Sequence, residues 1–265
     1  MIKKQFNKRA KPAGGFRPDM ADRFLDEVEA GREPYVARML SKHPSLVHAV
    51  RIYDQHDNYV EKSALHIAAM EDRARIVQLL LEAGAPADTQ DAEGETALMD
   101  AATNNSHNAM KVLIHAGANV SQRGQKGMTP LIRAARNNSH ECAKLLLRAG
   151  ARINTPDNTG ETPLHAAVYG AIEIEDQPDE RKMLRLLLEK GANADITDGN
   201  CMTPADTARS EGKRELANFI EDYAEQVVEM KALDESQREQ KALNVLREGS
   251  IRPITARKPI QFKRQ

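Results

Sequence analysis

The chain repeats itself with a fixed period. One segment runs from Thr129-Pro130-Leu131-Ile132-Arg133-Ala134-Ala135 through Asn137-Asn138-Ser139-His140 to Leu145-Leu146-Leu147-Arg148-Ala149-Gly150-Ala151. Its layout occurs 33 residues earlier, from Thr96 through Asn104-Asn105-Ser106-His107 to Gly117-Ala118, and 33 earlier again, from Ser63-Ala64-Leu65-His66 to Gly84-Ala85. Downstream it returns from Thr162-Pro163-Leu164-His165 to Gly191-Ala192, and Thr203-Pro204-Ala205 opens a last copy. The opening hydroxyl residues step by 33, 33, 33 and 41, and the closing glycines by 33, 33 and 41. Two separate landmarks that share one period demand a row of like units, each completing its core only against its neighbours.

Each unit reads as two short helices. Thr96, Thr129, Thr162 and Thr203 stand where a first helix needs an N-cap acceptor, and Pro130 and Pro163 fit its first turn, which has no use for an N–H. The alanine pairs 68/69, 101/102, 134/135 and 166/167 let neighbouring first helices approach closely. Asn105 and Asn138 follow the first helix, where a left-handed residue is wanted and Asn is tolerated. Ser106 and Ser139 are predicted to cap the second helix. The leucine runs 79–81, 145–147 and 186–188 bury between units, and Gly84, Gly117, Gly150 and Gly191 end the second helices. Upstream, Phe24, Leu25 and Val28, then Val36, Met39 and Leu40, outline a degenerate first pair that serves as a cap. Leu216, Phe219, Ile220 and Tyr223 are expected to close the other end.

This layout resembles the ankyrin repeat, whose pattern is an opening turn, Thr-Pro-Leu-His-x-Ala-Ala, a short loop, an apolar second helix, and Gly-Ala leading into the next hairpin. The resemblance covers residues 19–223. It implies an all-α fold, an ankyrin-repeat solenoid of stacked helix-turn-helix units with short hairpin loops. About six repeats are expected, the first and last degenerate, with clear ones near 58–90, 91–123, 124–156 and 157–197. Two departures fit a terminal repeat: Cys201 stands where glycine is usual, and Ala205 replaces Leu. The resemblance also implies that His66 and His165 brace neighbouring loops through hydrogen bonds. Partners of this family dock on the hairpin tips and the exposed face of the first helices. Here those positions are Tyr59, Lys62 and Met70, then Glu93, Glu95, Thr103 and Asn104. The following units offer Gln125, Lys126, Met128, Arg136 and Asn137, then Asn158, Glu161 and Tyr169, and last Met202.

Charge divides the chain differently from the repeats. Net charge is −1, yet residues 1–17 carry +6 and residues 249–265 carry +5, neither with an acid, which leaves −12 for the body between them. Residues 1–18 read as a disordered basic arm, 224–248 as a charged C-terminal helix and 249–265 as a disordered basic tail. The fifth unit is eight residues longer than the others, with the excess in the acid-rich stretch 170–180. Such an insertion bulges from one face of a stack, as a plain surface loop or as a partner-contacting finger.

No chemistry converges in the sequence. His107 and His140 are one repeat apart, about 10 Å by helix packing, too far to share a zinc ion. Cys142 takes a position suited to a small buried hydrophobe, and the two cysteines have neither metal-ligand nor disulfide-framework spacing. No phosphate-binding loop, dinucleotide fingerprint or nucleophile elbow occurs. Gly124-Gln125-Lys126-Gly127 matches the loop of the KH RNA-binding module over four residues, but it falls where the repeat needs a hairpin tip. The carboxylates read as solvated faces, with no isolated pair in an apolar setting. No catalytic residue, metal or cofactor is therefore expected.

The reading that follows is a non-catalytic protein–protein interaction adaptor or scaffold that binds another protein through the ridge of hairpin tips and inner-helix positions. No apolar run is long enough to span a bilayer, and a soluble, cytoplasmic monomer is expected. The alternative is a nucleic-acid or acidic-surface binder that uses the basic tails, whose grip would fall steeply with salt. The acidic body argues against a nucleic-acid platform on the solenoid itself.

Overall fold

The computed structural model describes residues 9–11, 18–55, 58–171, 181–232 and 237. Helices start where the hydroxyl residues stand. Ser63, Thr96, Thr129 and Thr203 accept hydrogen bonds from the backbone N–H three residues on, of His66, Met99, Ile132 and Asp206. These caps open the first helices α3 (Ala64–Met70), α5 (Ala97–Thr103), α7 (Pro130–Arg136) and α11 (Pro204–Ser210), with α9 (Pro163–Gly170) opened by Thr162 in a capping box with His165. The second helices are α4 (Ala74–Glu82), α6 (His107–His115), α8 (His140–Arg148) and α10 (Lys182–Glu189). Helices of seven to nine residues are too short to persist alone in water, so packing must hold them.

Packing arranges the helices in two layers. The first helices stack α3 on α5, α7, α9 and α11, and the second helices stack α4 on α6, α8 and α10. All eight residues of the alanine pairs are buried, and the close approach they allow is complete at Gly170, where a Cβ would stand 2.7 Å from the carbonyl oxygens of Ala135 and Arg136. Asn105 and Asn138 take positive φ, 56° and 51°, as does Asp72 at the equivalent place, 52°. The terminal glycines of the second helices do the same, at φ 87–96°. Ser106 and Ser139 stand at the N-cap but make no capping bond. Their ψ near 70° turns the side chain away from its own helix, and Ser106 Oγ instead donates to Met70 O of the preceding unit.

The ends differ from the middle. At the N-terminus α1 (Pro18–Glu29) and α2 (Glu33–Lys42) form the capping pair, with Phe24, Leu25, Val28 and Val36 fully buried. Short hairpins were expected throughout, but the first lengthens into a ribbon, β2 (Val50–Gln55) antiparallel to β3 (Asn58–Ser63). Part of the arm expected to be disordered adds a third strand, β1 (Arg9–Lys11), with Ala10 opposite Arg51. Arg-Ala-Lys carries no strand signature; the ladder, not local propensity, makes it a strand. At the far end α12 (Arg214–Ala232) buries Leu216, Ala217 and Ile220 against α10 and α11. Residues 1–8 and 12–17 of the arm, the insertion residues 172–180, most of 233–248 and the basic tail 249–265 lie outside the described residues.

Adjacent hairpin tips are sewn together by backbone bonds, Asn158 N to Lys126 O at 2.9 Å and Gly199 N to Thr159 O at 2.8 Å. Gly160 permits the second contact. Its φ is +86°, and a Cβ there would lie 2.8 Å from Gly199 N. Gly160→Ala is expected to cost about 1–3 kcal/mol, from left-handed strain and the backbone collision. Urea unfolding measures this; a midpoint unchanged from wild type would contradict the tip contact.

Candidate functional site

The exposed ridge is built from three recurring positions. The residue before each first-helix N-cap is Lys62, Glu95, Met128, Glu161 and Met202 in turn. Four residues after the cap come Asp100, Arg133 and Ala166, and seven after it come Met70, Thr103, Arg136 and Tyr169. The first two positions meet across the junction between units. Lys62 Nζ lies 2.7 and 3.0 Å from the Asp100 carboxylate oxygens, and one unit on Arg133 grips Glu95 through Nη2 at 2.6 Å and Nε at 3.1 Å. The two pairs share one geometry with the charges reversed. The following pair of positions, Met128 and Ala166, is apolar and buried.

Lys62, Glu95 and Met128, read from the sequence as partner contacts, are therefore corrected. They are 5–7% exposed and engaged between repeats. A residue next to a cap is free only where the next unit offers it nothing, and here the next unit offers an opposite charge or an alanine.

Lys62 sits in a larger buried group. Its ammonium also lies 2.6 Å from Asp91, whose side chain is fully buried. Asp91 and Asp100 correct the expectation that every carboxylate is a solvated one. Asp91 Oδ1 accepts from the N–H groups of Glu93 and Glu95, and Asp157 and Asp198 repeat this turn at equivalent tips. An acid five residues before the hydroxyl cap was the available signal, at Asp91, Asp157 and Asp198. Beside Asp91, His66 shares Nδ1 with Ser63 Oγ at 2.7 Å and places Nε2 3.0 Å from Glu95 O; His165 repeats the brace onto Met202 O. Glu95 O can only accept, so His66 Nε2 carries the proton. Burial, then the Lys62 charge, pushes the His66 pKa down to about 4. Burial raises the Asp100 carboxyl to about 7 against the opposing pull of Lys62. Burial pulls the Lys62 ammonium down, but Asp100 and Asp91 together outweigh it and its pKa is raised.

His66, Asp91 and Asp100 form the single group among the described residues whose donor atoms lie close enough, within 4.8 Å, to hold a metal ion. The Lys62 ammonium already stands among those oxygens and supplies the positive charge. The arrangement is a structural ion cluster. Cys142 is buried, its thiol pushed up to about 12 chiefly by burial, and so is an inert packing group.

The remaining ridge positions face outward or nearly so. Thr103, Asn104, Gln125, Lys126, Asn137 and Asn158 are exposed, and Met70, Glu93, Arg136, Glu161, Tyr169 and Met202 are half-buried. Tyr59 lies in β3 opposite Asp54; its side chain is outside the described part. Asn104 and Asn137 turn their amides onto the carbonyls of Asp100 and Arg133, closing the helix ends. The structure brings together three of these residues. Arg136 Cζ lies 5.1 Å from the Tyr169 ring centroid, Arg136 Nη1 is 4.0 Å from Glu161, and the Tyr169 hydroxyl donates to Glu161 at 3.3 Å. Burial, then the Glu161 charge, raises the Tyr169 pKa. A planar cation over an aromatic ring with an acceptor beside it is the composition of an interface anchor.

A family model described as ankyrin repeats, in three copies, matches residues 35–124 and 116–198. No curated protein matches the chain.

Proposed function

The chain belongs to the ankyrin-repeat family, and on that premise we propose that it is a non-catalytic adaptor or scaffold that grips a partner protein along the ridge from Met70 to Met202. Ankyrin repeats are generally protein–protein interaction modules and typically lack catalysis. No described helix is long and apolar enough to cross a membrane. The observation that carries the reading is the Arg136–Tyr169–Glu161 group, which presents an arginine, an aromatic ring and an acceptor in one half-exposed place. Thr103, Asn137 and Asn158, exposed elsewhere along the ridge, carry polar side chains suited to a rim. Both cysteines are free thiols, which supports a reducing, cytoplasmic setting, and we read the chain as a monomer.

Arg136→Ala with Tyr169→Ala tests this. Neither residue is in the core, so the melting temperature should stay within a few degrees of wild type. Loss of two anchors should weaken partner capture by more than about thirtyfold. Affinity capture from native lysate, quantified by mass spectrometry for wild type and double variant side by side, reads the difference. A protein set recovered equally by both would remove the ridge from the account.

A further inference from the structure

Residues 101–140 hold five Lys or Arg and no Asp or Glu, inside a body that is otherwise acidic. Four of the five, Arg123, Lys126, Arg133 and Arg136, stand on one hairpin tip and on α7, which follows it. Arg133 is committed to Glu95 at 2.6 Å. The other three gather around a single turn of the next unit, closed by Asp157 N–H donating to Glu161 O at 2.9 Å. At one end of that turn Asn158 N–H donates to Lys126 O at 2.9 Å. Arg123 joins them there, donating through Nη1 to Pro156 O at 2.9 Å and through Nη2 to Asn158 Oδ1 at 3.2 Å. At the other end Glu161 Oε2 stands 4.0 Å from Arg136 Nη1.

None of these three bases donates a hydrogen bond to a carboxylate among the described residues. Arg123 donates only to neutral oxygens, and Lys126 is exposed with no partner for its ammonium. Glu161 is too distant from Arg136 for a hydrogen bond, and its Oε1 accepts from the Tyr169 hydroxyl. The Arg136 guanidinium lies over the Tyr169 ring, which holds its plane, while its N–H groups donate to nothing among the described residues. A flat guanidinium steadied by an aromatic ring, with its donors unused, fits a carboxylate edge-on. We infer that the segment the ridge binds is an acidic stretch of protein, with one carboxylate on Arg136 and another at Lys126 beside Arg123. This partner chemistry rests on the ridge being the docking surface. A phosphate backbone has the same sign, but its charge is continuous and would run on to Glu161 and the rest of the acidic body. A protein segment places carboxylates only where the bases stand and can lay an apolar side chain against the half-buried Tyr169.

Random dodecamer peptides displayed on phage, panned against the full chain, supply the probe, and the tightest binders are synthesised with a fluorophore and titrated by anisotropy. They should carry two Asp or Glu about three to five residues apart, because α7 is about 10 Å long and an extended chain advances about 3.4 Å per residue. Changing both acids to their amides should weaken binding about tenfold or more. Lys126→Gln with Arg136→Gln should do the same, and since neither side chain makes a hydrogen bond, melting should match wild type. Arg136→Lys keeps the charge but loses the planar fork, and should weaken the acidic peptides by several-fold. Tight peptides without acids that lose binding in Tyr169→Ala would overturn the acidic partner and leave the ridge standing. Peptides indifferent to Arg136→Ala with Tyr169→Ala would instead remove the ridge. Acidic peptides that bind the Lys126→Gln, Arg136→Gln chain as they bind wild type would overturn the assignment to these bases, and a DNA duplex that competes equally well would overturn the choice of protein. Glu173→Gln, Glu175→Gln, Asp176→Asn, Asp179→Asn and Glu180→Gln together should leave peptide affinity unchanged; a rise of more than about tenfold would make this chain's own insertion the occupant.

Discussion

Lys62→Met is expected to lower the unfolding free energy by about 3–5 kcal/mol near pH 8, because it leaves Asp91 and Asp100 buried without their shared cation. Met matches the lysine stem in length, so the loss isolates the charge from the packing. The pH dependence gives the effect its signature. Asp100 is held above its ordinary value, at about 7, by burial, with Lys62 pulling the other way. Removing Lys62 moves it higher, while the unfolded carboxyl still titrates near 3.8. Between those two values the folded state binds a proton that the unfolded state does not, so the variant gains stability as pH falls. Wild type gains in the same way below its own value of about 7, so the Asp100 part of the deficit is greatest above the variant's raised value and has shrunk to a constant by about pH 7. In wild type the buried neutral His66 has a pKa of about 4 when folded, lowered first by burial and then by Lys62, so the variant's His66 is depressed less. That group stabilises above its unfolded value near 6.5 and loses its contribution as pH falls toward 4, and it loses less in the variant, which narrows the deficit further in that window. Urea titrations at about pH 8 and 5 compare them directly. A deficit below about 1 kcal/mol at the higher pH, or one that ignores pH, would mean the cluster is not the ion group described.

Arg51→Ala should come next in size, at about 3 kcal/mol, and be confined to one end. The Arg51 side chain is 1% exposed, with Nη1 2.6 Å from Glu29 and Nη2 2.7 Å from Asp26 and 3.1 Å from Asp22 O. It ties β2 to α1. The two carboxylates are 34% and 60% exposed and can rehydrate, which keeps the loss at the lower end, while the vanished aliphatic stem leaves a void. In a stack where each unit touches only its neighbours, damage at the cap stays local. Hydrogen exchange should therefore quicken in α1 and β2 and stay unchanged in α7 and α8. Uniform acceleration along the chain, or none, would show that Arg51 is not what fastens the capping pair.

The repeat layout was legible because its signals are local. A hydroxyl residue, the helix it caps and the glycine that ends the unit lie within one period, and each acts on backbone a few residues away. The caps at Thr96 and Thr129, the left-handed Asn105 and Asn138, and the buried alanine pairs all stand as that chemistry requires. Ser106 shows the limit. Its place beside a helix start suggested a cap, but its hydroxyl found Met70 O of the preceding unit. Part of the candidate ridge failed for the same reason. Lys62 and Glu95 look free in their own repeats, and their partners Asp100 and Arg133 are each 38 residues on.

The sequence by itself determined the unit, its period, its caps and its family, because those follow from short-range backbone chemistry repeated in register. Tertiary structure decided which charges are spent and which are offered. Coulomb pairing and burial depend on what the next repeat places opposite a side chain. That juxtaposition buried Lys62, Glu95 and Arg51, left Arg136 beside Tyr169, and set Lys111 and Arg148 out in solvent.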